Sequence, residues 1–300
     1  MAKKRNSLPT STSDRIFDTC NIIFMIIVVV VMLYPFLNVL AISFNQSQDT
    51  VKGGITIWPR AFTLDNYKKI LEYDTLLIGL KNSVLRTVLG TALGVFCDSM
   101  IAYTLSRKDY RARKFISTFL AMTLYFSGGL VPGYMLIRDL HLMNTFLVYI
   151  IPGMVSVFNI FIIRSFIDGL PISLQESAKL DGANDFVIYW RVILPLCKPV
   201  LATIALFIAV GQWNSWFDTY LYNSMNPNLT TLQFELVKIM QNTNSTTNVN
   251  AQTAEKLANM VTPESIKMAV TIFVTVPVLL IYPFLQKYFM QGMILGAVKD

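Results

Sequence analysis

The sequence comprises 300 residues, of which 54% are hydrophobic and only 14% are charged, with a formal net charge of +7. Soluble domains usually contain about 45 to 50% apolar and about 25% charged residues, so this composition argues against a soluble domain and favours a membrane protein. The cysteines Cys20, Cys97 and Cys197 lie in or beside apolar segments and form no C-x-x-C pair, which argues against a disulfide framework and a cysteine metal site.

Six apolar segments are close to or longer than the roughly 20 residues that a helix needs to cross about 30 Å of hydrocarbon. We therefore predict an all-α membrane protein whose six transmembrane helices occupy residues 18–290. The segments, in chain order, are Asp18–Ser43, Gly79–Ser106, Phe115–Ile137, Thr145–Phe166, Pro199–Tyr220 and Lys267–Met290. The first is too long, and too far from any small-residue cleavage site, for a signal peptide that is removed.

The basic residues predict the orientation of these helices. They concentrate before the first segment, in the short loop after the second and around the loop over 167–198, whereas the loop after the third carries only Arg138. Under the positive-inside rule, the tails 1–17 and 291–300 and the loop 167–198 are cytoplasmic. The sequence thus predicts a multi-pass protein of a bacterial cell membrane with both termini in the cytoplasm, and its basic character reflects topology and not nucleic-acid binding.

The longer external loop covers residues 221–266. It contains an amphipathic piece, Leu232–Met240, followed by a polar tract rich in Asn and Thr at 242–248. Tracts of this composition are typically mobile loops. The alternative is a docking surface for an extracellular partner.

The cytoplasmic loop over 167–198 has the sequence signals of a helical hairpin. Ser173 followed by Glu176 matches a capping box at the start of a first helix. Gly182 suits the left-handed conformation that closes this helix. The residues expected to bound a second helix are Asn184 or Asp185 at its cap and Pro195 at its far end.

This hairpin resembles the EAA loop of ABC importer permeases, in which Glu-Ala-Ala is followed by Asp-Gly-Ala and, further on, by Ile-x-Leu-Pro. The motif here reads Glu176, Ser177, Ala178, Asp181, Gly182 and Ala183, followed by Ile193-Leu194-Pro195. Ser177 departs from the usual Ala but is also small. The resemblance implies a coupling helix that sits in a groove of the ATP-hydrolysing subunit, where Glu176 faces a basic residue. The alternative is that Glu176 is only a capping-box residue.

The resemblance covers most of the chain from the second segment onward and points to the carbohydrate branch of these permeases, close to the importers of complex oligosaccharides in Gram-positive bacteria. It is carried by Asn144-Thr145, Ile151-Pro152, Phe158–Phe161, Gly211–Asp218 and the tail Gly292–Lys299, although Asp300 replaces a frequent final Gly. It implies a heterodimer with a second permease, two ATPase domains that bind ATP and Mg²⁺, an extracellular solute-binding lipoprotein and an oligosaccharide substrate.

The fifth segment carries the predicted substrate path. Its residues recur at helical spacing, so that four aromatic side chains share one face and two polar side chains lie beside it. These residues are Trp213, Trp216, Phe217 and Tyr220, with Asn214 and Asp218. Aromatic rings stack on the apolar faces of sugars, and polar side chains bind their hydroxyl groups. The alternative is an aromatic belt at the membrane interface, which fits Tyr220 best.

Two further charges lie inside predicted helices. Arg86 is expected near the outer end of the second segment, where it either snorkels outward or pairs with Asp218. Asp98 lies deeper, and a carboxylate within the membrane is a functional candidate. The alternative for Asp98 is a structural role in which it reaches Arg107 or a neighbouring helix.

The sequence contains no G-x-x-x-x-G-K-[ST] motif, so ATP hydrolysis by the P-loop mechanism must come from another polypeptide. We predict no catalytic residue, metal site or cofactor in this chain. The competing hypothesis is an autonomous secondary transporter of a polar solute, which should show paired broken helices or an inverted repeat. An autonomous transporter has no ATPase subunit to bind, so this hypothesis leaves the EAA-like hairpin without a role.

Overall fold

The computed structural model describes residues 12–245, 262 and 264–280. Apart from an isolated bridge between Asn45 and Phe62, the regular secondary structure of these residues is helical. The helices are α1 (Thr12–Ser43), α2 (Ser47–Thr50), α3 (Asp65–Glu72), α4 (Asp74–Ser106), α5 (Arg113–Thr123), α6 (Leu130–Asp139), α7 (Val157–Asp168), α8 (Ser173–Leu180), α9 (Asp185–Ile188), α10 (Leu194–Leu196), α11 (Lys198–Asn214), α12 (Leu232–Ser245) and α13 (264–280). Shorter turns are π-helical at Tyr189–Ile193 and Thr219–Asn223 and 3₁₀-helical at Phe146–Tyr149 and Pro227–Leu229.

The chain contacts define two units, of which the first comprises Met1–Ile70 and Ser245–Ile272. Its helix α1 exposes nearly all of its apolar side chains, as suits a helix whose solvent is lipid. At the C-terminal end of α1, the Asn66 amide donates hydrogen bonds to the carbonyl oxygens of Ser43 and Asn45, at 2.9 and 3.0 Å. These bonds tie α3 to the end of α1.

The second unit, Leu71–Asn244 with Phe273–Asp300, is built around α4. α4 packs against α7 and α11. A Cβ atom added at Gly90 would lie 2.8 Å from the side-chain amide of Gln212 on α11, so a larger residue there would displace that side chain. The buried core includes Ala102, Leu105, Ile160, Ile163, Ile188, Ile193 and Ile204.

Polar residues near the outer end of α4 fix the loop that precedes α12. The Asn82 amide donates hydrogen bonds to the carbonyl oxygens of Asn228 and Thr230, both at 2.8 Å. The Ser83 hydroxyl accepts one from the Leu232 N–H at 2.9 Å. The backbone groups bound in this way lie in the loop and at the first residue of α12, where no helical hydrogen bond is available to them.

Among the described residues, α1 and α4 are the single helices that are long and apolar enough to cross a membrane. Two bent pairs meet the same test if each pair counts as one span. They are α7 with α8, bent by 78°, and Asp185–Leu196 with α11, bent by 83°. Length and composition therefore give two to four spans here.

Three of the segments predicted to span the membrane are interrupted in the structure. The third, 115–137, divides into α5 and α6 before Gly129, whose φ of 86° is left-handed. The fourth, 145–166, begins with a 3₁₀ turn, and α7 starts only at Val157. The fifth, 199–220, breaks because Ser215 is extended and ends α11.

The predictions for the external loop and the sixth segment are confirmed in part, and the remaining residues lie outside the part of the chain that the structure describes. The amphipathic piece at 232–240 forms most of α12, and this helix continues into the polar tract as far as Ser245. The sixth segment is helical as far as residue 280. The rest of that segment, residues 246–261 of the external loop and the tail 291–300 lie outside the described residues.

We predict that Gly79→Ala destabilises the protein. The new Cβ atom would lie 3.0 Å from the backbone nitrogen of Leu232, and the backbone cannot give way as a flexible side chain could. Overpacking of this kind costs about 1 to 3 kcal/mol of unfolding free energy. Thermal melting of the purified protein in detergent measures the effect.

Gly133→Ala is the matched control. Gly133 lies in α6, and a Cβ atom there would have no neighbour within 4 Å. Since helical Gly→Ala gains about 0.5 to 1 kcal/mol, this variant should melt at or above the wild-type temperature. Equal melting temperatures for the two variants would contradict the tight packing at Gly79.

Candidate functional site

The predicted hairpin is present, and its turn forms as the sequence indicates. Gly182 has a φ of 81°, and the Ala183 N–H donates a hydrogen bond to the Ala178 carbonyl oxygen across the end of α8. The Asn184 side chain accepts a hydrogen bond from the Val187 N–H and so caps α9. The left-handed glycine and the cap of the second helix are therefore confirmed.

The start of the hairpin differs from the prediction. Ile172 is already helical, α8 begins at Ser173, and no side chain caps its first turn. The helix is entered directly from Pro171, whose carbonyl oxygen accepts from the Leu174 N–H, and a proline with its fixed φ suits a first turn. The capping box of Ser173 and Glu176 is thus wrong, and Glu176 is not explained as a cap.

The motif residues divide between an outer and an inner face of the hairpin. Four of them are exposed to solvent, namely Glu176, Ser177, Asp181 and Gly182. Ala178 and Ala183 are half-buried and pack against the core. The exposed face also carries large apolar side chains, with Leu180 at 89% exposure at the tip, and Phe186 and Trp190 on the second arm. Contiguous exposed apolar groups indicate an interaction surface.

A cluster of charges joins the hairpin to the end of α4. The Arg107 guanidinium donates to Gln175 on α8 at 3.0 Å and forms ion pairs with Asp109 at 2.8 Å and Asp185 on α9 at 3.1 Å. Lys179 on α8 also pairs with Asp109, at 3.1 Å. Arg107 therefore holds both arms of the hairpin.

Asp109 stays ionised in this cluster at physiological pH. Hydrogen bonds from Arg107 and then Lys179 hold the pKa of the Asp109 carboxyl below its usual range. A lowered pKa means that these bonds stabilise the fold above the ordinary carboxyl pKa and are lost only as the pH falls through the lowered value. The cluster is thus a constant link and not a pH switch.

Of the two alternatives for Arg86, the structure has the pair with Asp218. The Arg86 side chain is 2% exposed, and its Nη1 and Nη2 atoms contact the two Asp218 carboxylate oxygens at 3.1 and 2.5 Å. Its Nε donates to Gln212 at 3.1 Å, and Nη1 also donates to the Ser215 carbonyl oxygen at 3.3 Å. The guanidinium lies over the Tyr149 ring, 4.5 Å from its centroid.

The break after Asn214 separates the aromatic residues that the sequence placed on one helix face. Trp213 is 7% exposed, and its indole N–H donates to the Val274 carbonyl oxygen at 3.1 Å. Beyond the break, Trp216, Phe217 and Tyr220 contact one another with ring centroids 5.8 to 6.4 Å apart. The single shared face is therefore wrong, because α11 ends before Trp216.

Comparison with known proteins decides the family. Residues 1–295 match the family described as "Binding-protein-dependent transport system inner membrane component". The chain belongs to this family. It is 36% identical to protein LplC of Bacillus subtilis over 98% of both chains. It is also 36% identical to the polygalacturonan/rhamnogalacturonan transport system permease protein YtcP of the same organism, over 95% of this chain and 99% of that one.

A solved structure of the family has the same fold. It is a chain from a bacterial ABC transporter involved in the import of the acidic polysaccharide alginate, with a TM-score of 0.86 and 29% identity. The match covers 94% of this chain and 100% of that one. This family member is therefore a membrane permease component of an ABC import system with the ABC importer permease fold, and it is not the enzyme of that system.

Asp98 has the structural surroundings of a helix cap within the permease. Its carboxylate is fully buried and accepts hydrogen bonds from the Ser156 N–H at 2.9 Å and the Asn159 amide at 3.1 Å. Both partners lie at the start of α7, where a helix favours negative charge. Asp98 thus reaches a neighbouring helix and not Arg107.

Sequence reasoning missed the residues that complete these polar sites. Tyr149 and Gln212 surround Arg86, and Asn159 and Ser156 hold Asp98. Asn159 and Gln212 lie in segments that carry the family resemblance, but the resemblance gave them no role, and Tyr149 and Ser156 lie outside those segments. Only the expectation that an intramembrane charge requires partners could have directed a search for them.

We predict that Arg86→Met strongly destabilises the permease. The variant leaves the Asp218 carboxylate without its ion-pair partner. Breaking a fully buried pair costs about 3 to 5 kcal/mol, and the loss here should lie toward the lower end because the Asp218 side chain is 23% exposed. Melting of the purified protein in detergent measures the loss. The double variant Arg86→Met/Asp218→Asn should regain part of it, because neither charge then remains.

Arg138→Gln provides the control. It removes one partner of the exposed Arg138–Asp139 pair, so its melting temperature should change little. A single variant Arg86→Met that melts like Arg138→Gln would show that the pair with Asp218 has no structural role.

Proposed function

We propose that this chain is the transmembrane permease subunit of an ATP-driven importer that takes up oligosaccharides delivered by an extracellular binding protein. The similarity to YtcP carries this proposal, because it extends over nearly the whole length of both chains and that relative is named for polygalacturonan and rhamnogalacturonan transport. The likeness to a chain of an alginate importer supports the same class of substrate.

In this proposal the chain works in a bacterial cell membrane, with six spans and both termini in the cytoplasm. The bends of 78° and 83° support this topology, since they turn the hairpin away from the helices at either end of it. A hairpin oriented in this way lies along the membrane surface when those helices cross it. The basic residues of the predicted cytoplasmic loops support the orientation.

The exposed face of the hairpin is the proposed coupling site. Glu176, Ser177 and Asp181 present polar groups, and Leu180 and Phe186 present apolar surface that the described part of the chain leaves uncovered. We propose that this face sits in a groove of an ATPase subunit, with Ala178, Gly182 and Ala183 shaping the turn. Closure of the ATPases on ATP would then move the hairpin.

The partners in this proposal follow from one hairpin in each permease. An ATPase dimer offers two grooves, so a second, different permease supplies the other hairpin. The complex therefore contains two permeases, two ATPase domains that bind ATP and Mg²⁺, and a solute-binding lipoprotein outside the cell. This chain contributes no nucleotide site of its own, because it lacks a P-loop sequence.

The substrate path is proposed to run past the break after α11. Asn214 and Phe217 are exposed there, and Trp216 and Asp218 are half-buried. Aromatic rings next to an amide and a carboxylate suit a sugar, whose apolar faces stack and whose hydroxyl groups need partners. Trp213 is proposed to support this surface from behind, because it is buried and bonded to Val274.

We predict that Gly182→Val and Glu176→Lys each reduce uptake without preventing insertion. A β-branched residue resists the left-handed conformation of Gly182, and Glu176→Lys reverses the charge that the ATPase meets. Uptake by the reconstituted complex, divided by the amount of inserted permease, measures the effect.

Gly53→Val is the control for backbone strain. Gly53 is also left-handed, with a φ of 69°, but lies between α2 and α3 with no neighbour within 4 Å of an added Cβ atom. Its uptake should stay near the wild-type value. Wild-type uptake and ATP hydrolysis in both hairpin variants would remove the hairpin from the coupling site.

We predict that Trp216→Ala and Asn214→Leu change which sugars pass. Loss of the Trp216 ring removes a stacking surface, and loss of the Asn214 amide leaves a sugar hydroxyl without a partner at a cost of about 1 to 3 kcal/mol. Competitive uptake of galacturonate oligomers of two different lengths measures the preference. Trp213→Phe, which removes the bond to Val274 and shortens a buried ring system, should lower stability and leave the preference unchanged. An unchanged preference in Trp216→Ala and Asn214→Leu would refute the path.

A further inference from the structure

We propose that α4 is the rigid connection through which movement of the coupling hairpin reaches the break after α11, with Arg107 and Arg86 as the two positioning residues at its joints. This inference rests on the proposed function, since it assumes that an ATPase moves the hairpin.

The inner joint is Arg107, the residue that follows the last turn of α4. Its side chain is only 11% exposed. Its planar fork binds Gln175 on the first arm of the hairpin and Asp185 on the second arm. Through Asp109, which both Arg107 and Lys179 contact, the first arm is held a second time. Any displacement of the hairpin therefore acts on the end of α4 through several charge-assisted bonds.

The outer joint is Arg86, which lies about 31 Å from Arg107 along α4, since a helix rises about 1.5 Å per residue. Its guanidinium binds the Asp218 carboxylate with two contacts and also the Ser215 carbonyl oxygen. Both partners belong to the break between α11 and the π-helical turn Thr219–Asn223. A shift of α4 along its axis would therefore act directly on the backbone of the break.

The covalent connections of the hairpin are less suited to transmit force. α7 joins α8 through a 78° bend, and Asp185–Leu196 joins α11 through an 83° bend. The second arm also contains the π-helical turn Tyr189–Ile193, and such turns interrupt the regular hydrogen bonding of a helix. Such a bend acts as a hinge: the hairpin rotates about it, and little of this rotation reaches the helix on the other side.

In contrast, α4 runs without interruption over 33 residues and contains no proline. α11 also runs from the hairpin to the break, but it meets the hairpin through the 83° bend, whereas α4 meets it through the side-chain contacts of Arg107. An uninterrupted helix that is held by the charged side chains of Arg86 and Arg107 moves as one body between these two contacts, which is what coupling between distant sites requires.

The experiment uses the complete complex in nanodiscs, with its ATPase subunits and binding protein. The native cysteines Cys20, Cys97 and Cys197 are replaced by alanine, and Ser215→Cys places a half-buried reporter in the break. The readout is the ratio of labelling rates by a membrane-impermeant maleimide, without nucleotide and after trapping with Mg-ATP and vanadate. This ratio reports movement of the break and does not depend on the identity of the sugar.

In the parent complex the ratio should depart from one by about fivefold or more, as expected for ordinary coupling between two sites. Arg107→Gln should bring it close to one in the assembled complex, and Asp185→Asn, which releases only one arm, should reduce it less. The double variant Arg86→Met/Asp218→Asn should also abolish the response while the hairpin remains intact. Arg138→Gln, the matched change in an exposed pair, should keep the full ratio.

A full parental ratio in assembled Arg107→Gln would overturn the role of α4. If Arg107→Gln does not assemble, a full ratio in Asp185→Asn together with a full ratio in the double variant would overturn it equally. A parent complex that binds no ATPase subunits, or shows no response to Mg-ATP and vanadate, would refute the proposed function itself. The two failures are therefore distinguishable.

Discussion

Broken helices in an apolar environment must satisfy the backbone groups that each break releases, and this constraint organises the structure. Side chains of α4 meet much of that demand. Arg86 binds a carbonyl oxygen at the break after α11, Asn82 binds two carbonyl oxygens before α12, and Asp98 accepts an N–H at the start of α7. The polar residues of α4, which look out of place in a membrane helix, are therefore the reason that its neighbours can bend.

The helical class and the apolar segments could be predicted because composition and hydropathy report the solvent of a segment directly. The interruptions were missed for two different reasons. Gly129 follows Ser127 and Gly128, a local turn signal that was given less weight than the length of the apolar run. Ser215 has no such signal, and its break depends on Arg86, which lies more than a hundred positions away in sequence. Hydropathy thus gives the extent of a segment, but long-range polar contacts decide whether it is one helix.

The hairpin was predicted better than the substrate path for a physical reason. Its turn is governed by local chemistry, namely the left-handed Gly182 and the cap at Asn184, and local rules can be read from a few residues. The cap at Ser173 failed because Pro171 starts the helix earlier. The aromatic face failed because helical spacing from Trp213 to Tyr220 assumes an unbroken helix. The Arg86–Asp218 pair, one of the two alternatives for Arg86, could be named in advance because an intramembrane charge demands a partner at similar depth.

The exposed tip of the hairpin has a consequence for the life of the subunit before assembly. An orphan copy carries Leu180 and Phe186 uncovered on a structured turn, and this is the kind of apolar surface that chaperones and proteases recognise. Occupying the groove of an ATPase would bury that surface. If the hairpin is the proposed coupling site, the residues that engage the ATPase would also distinguish finished complexes from surplus subunits, so quality control and energy coupling would act on one small patch.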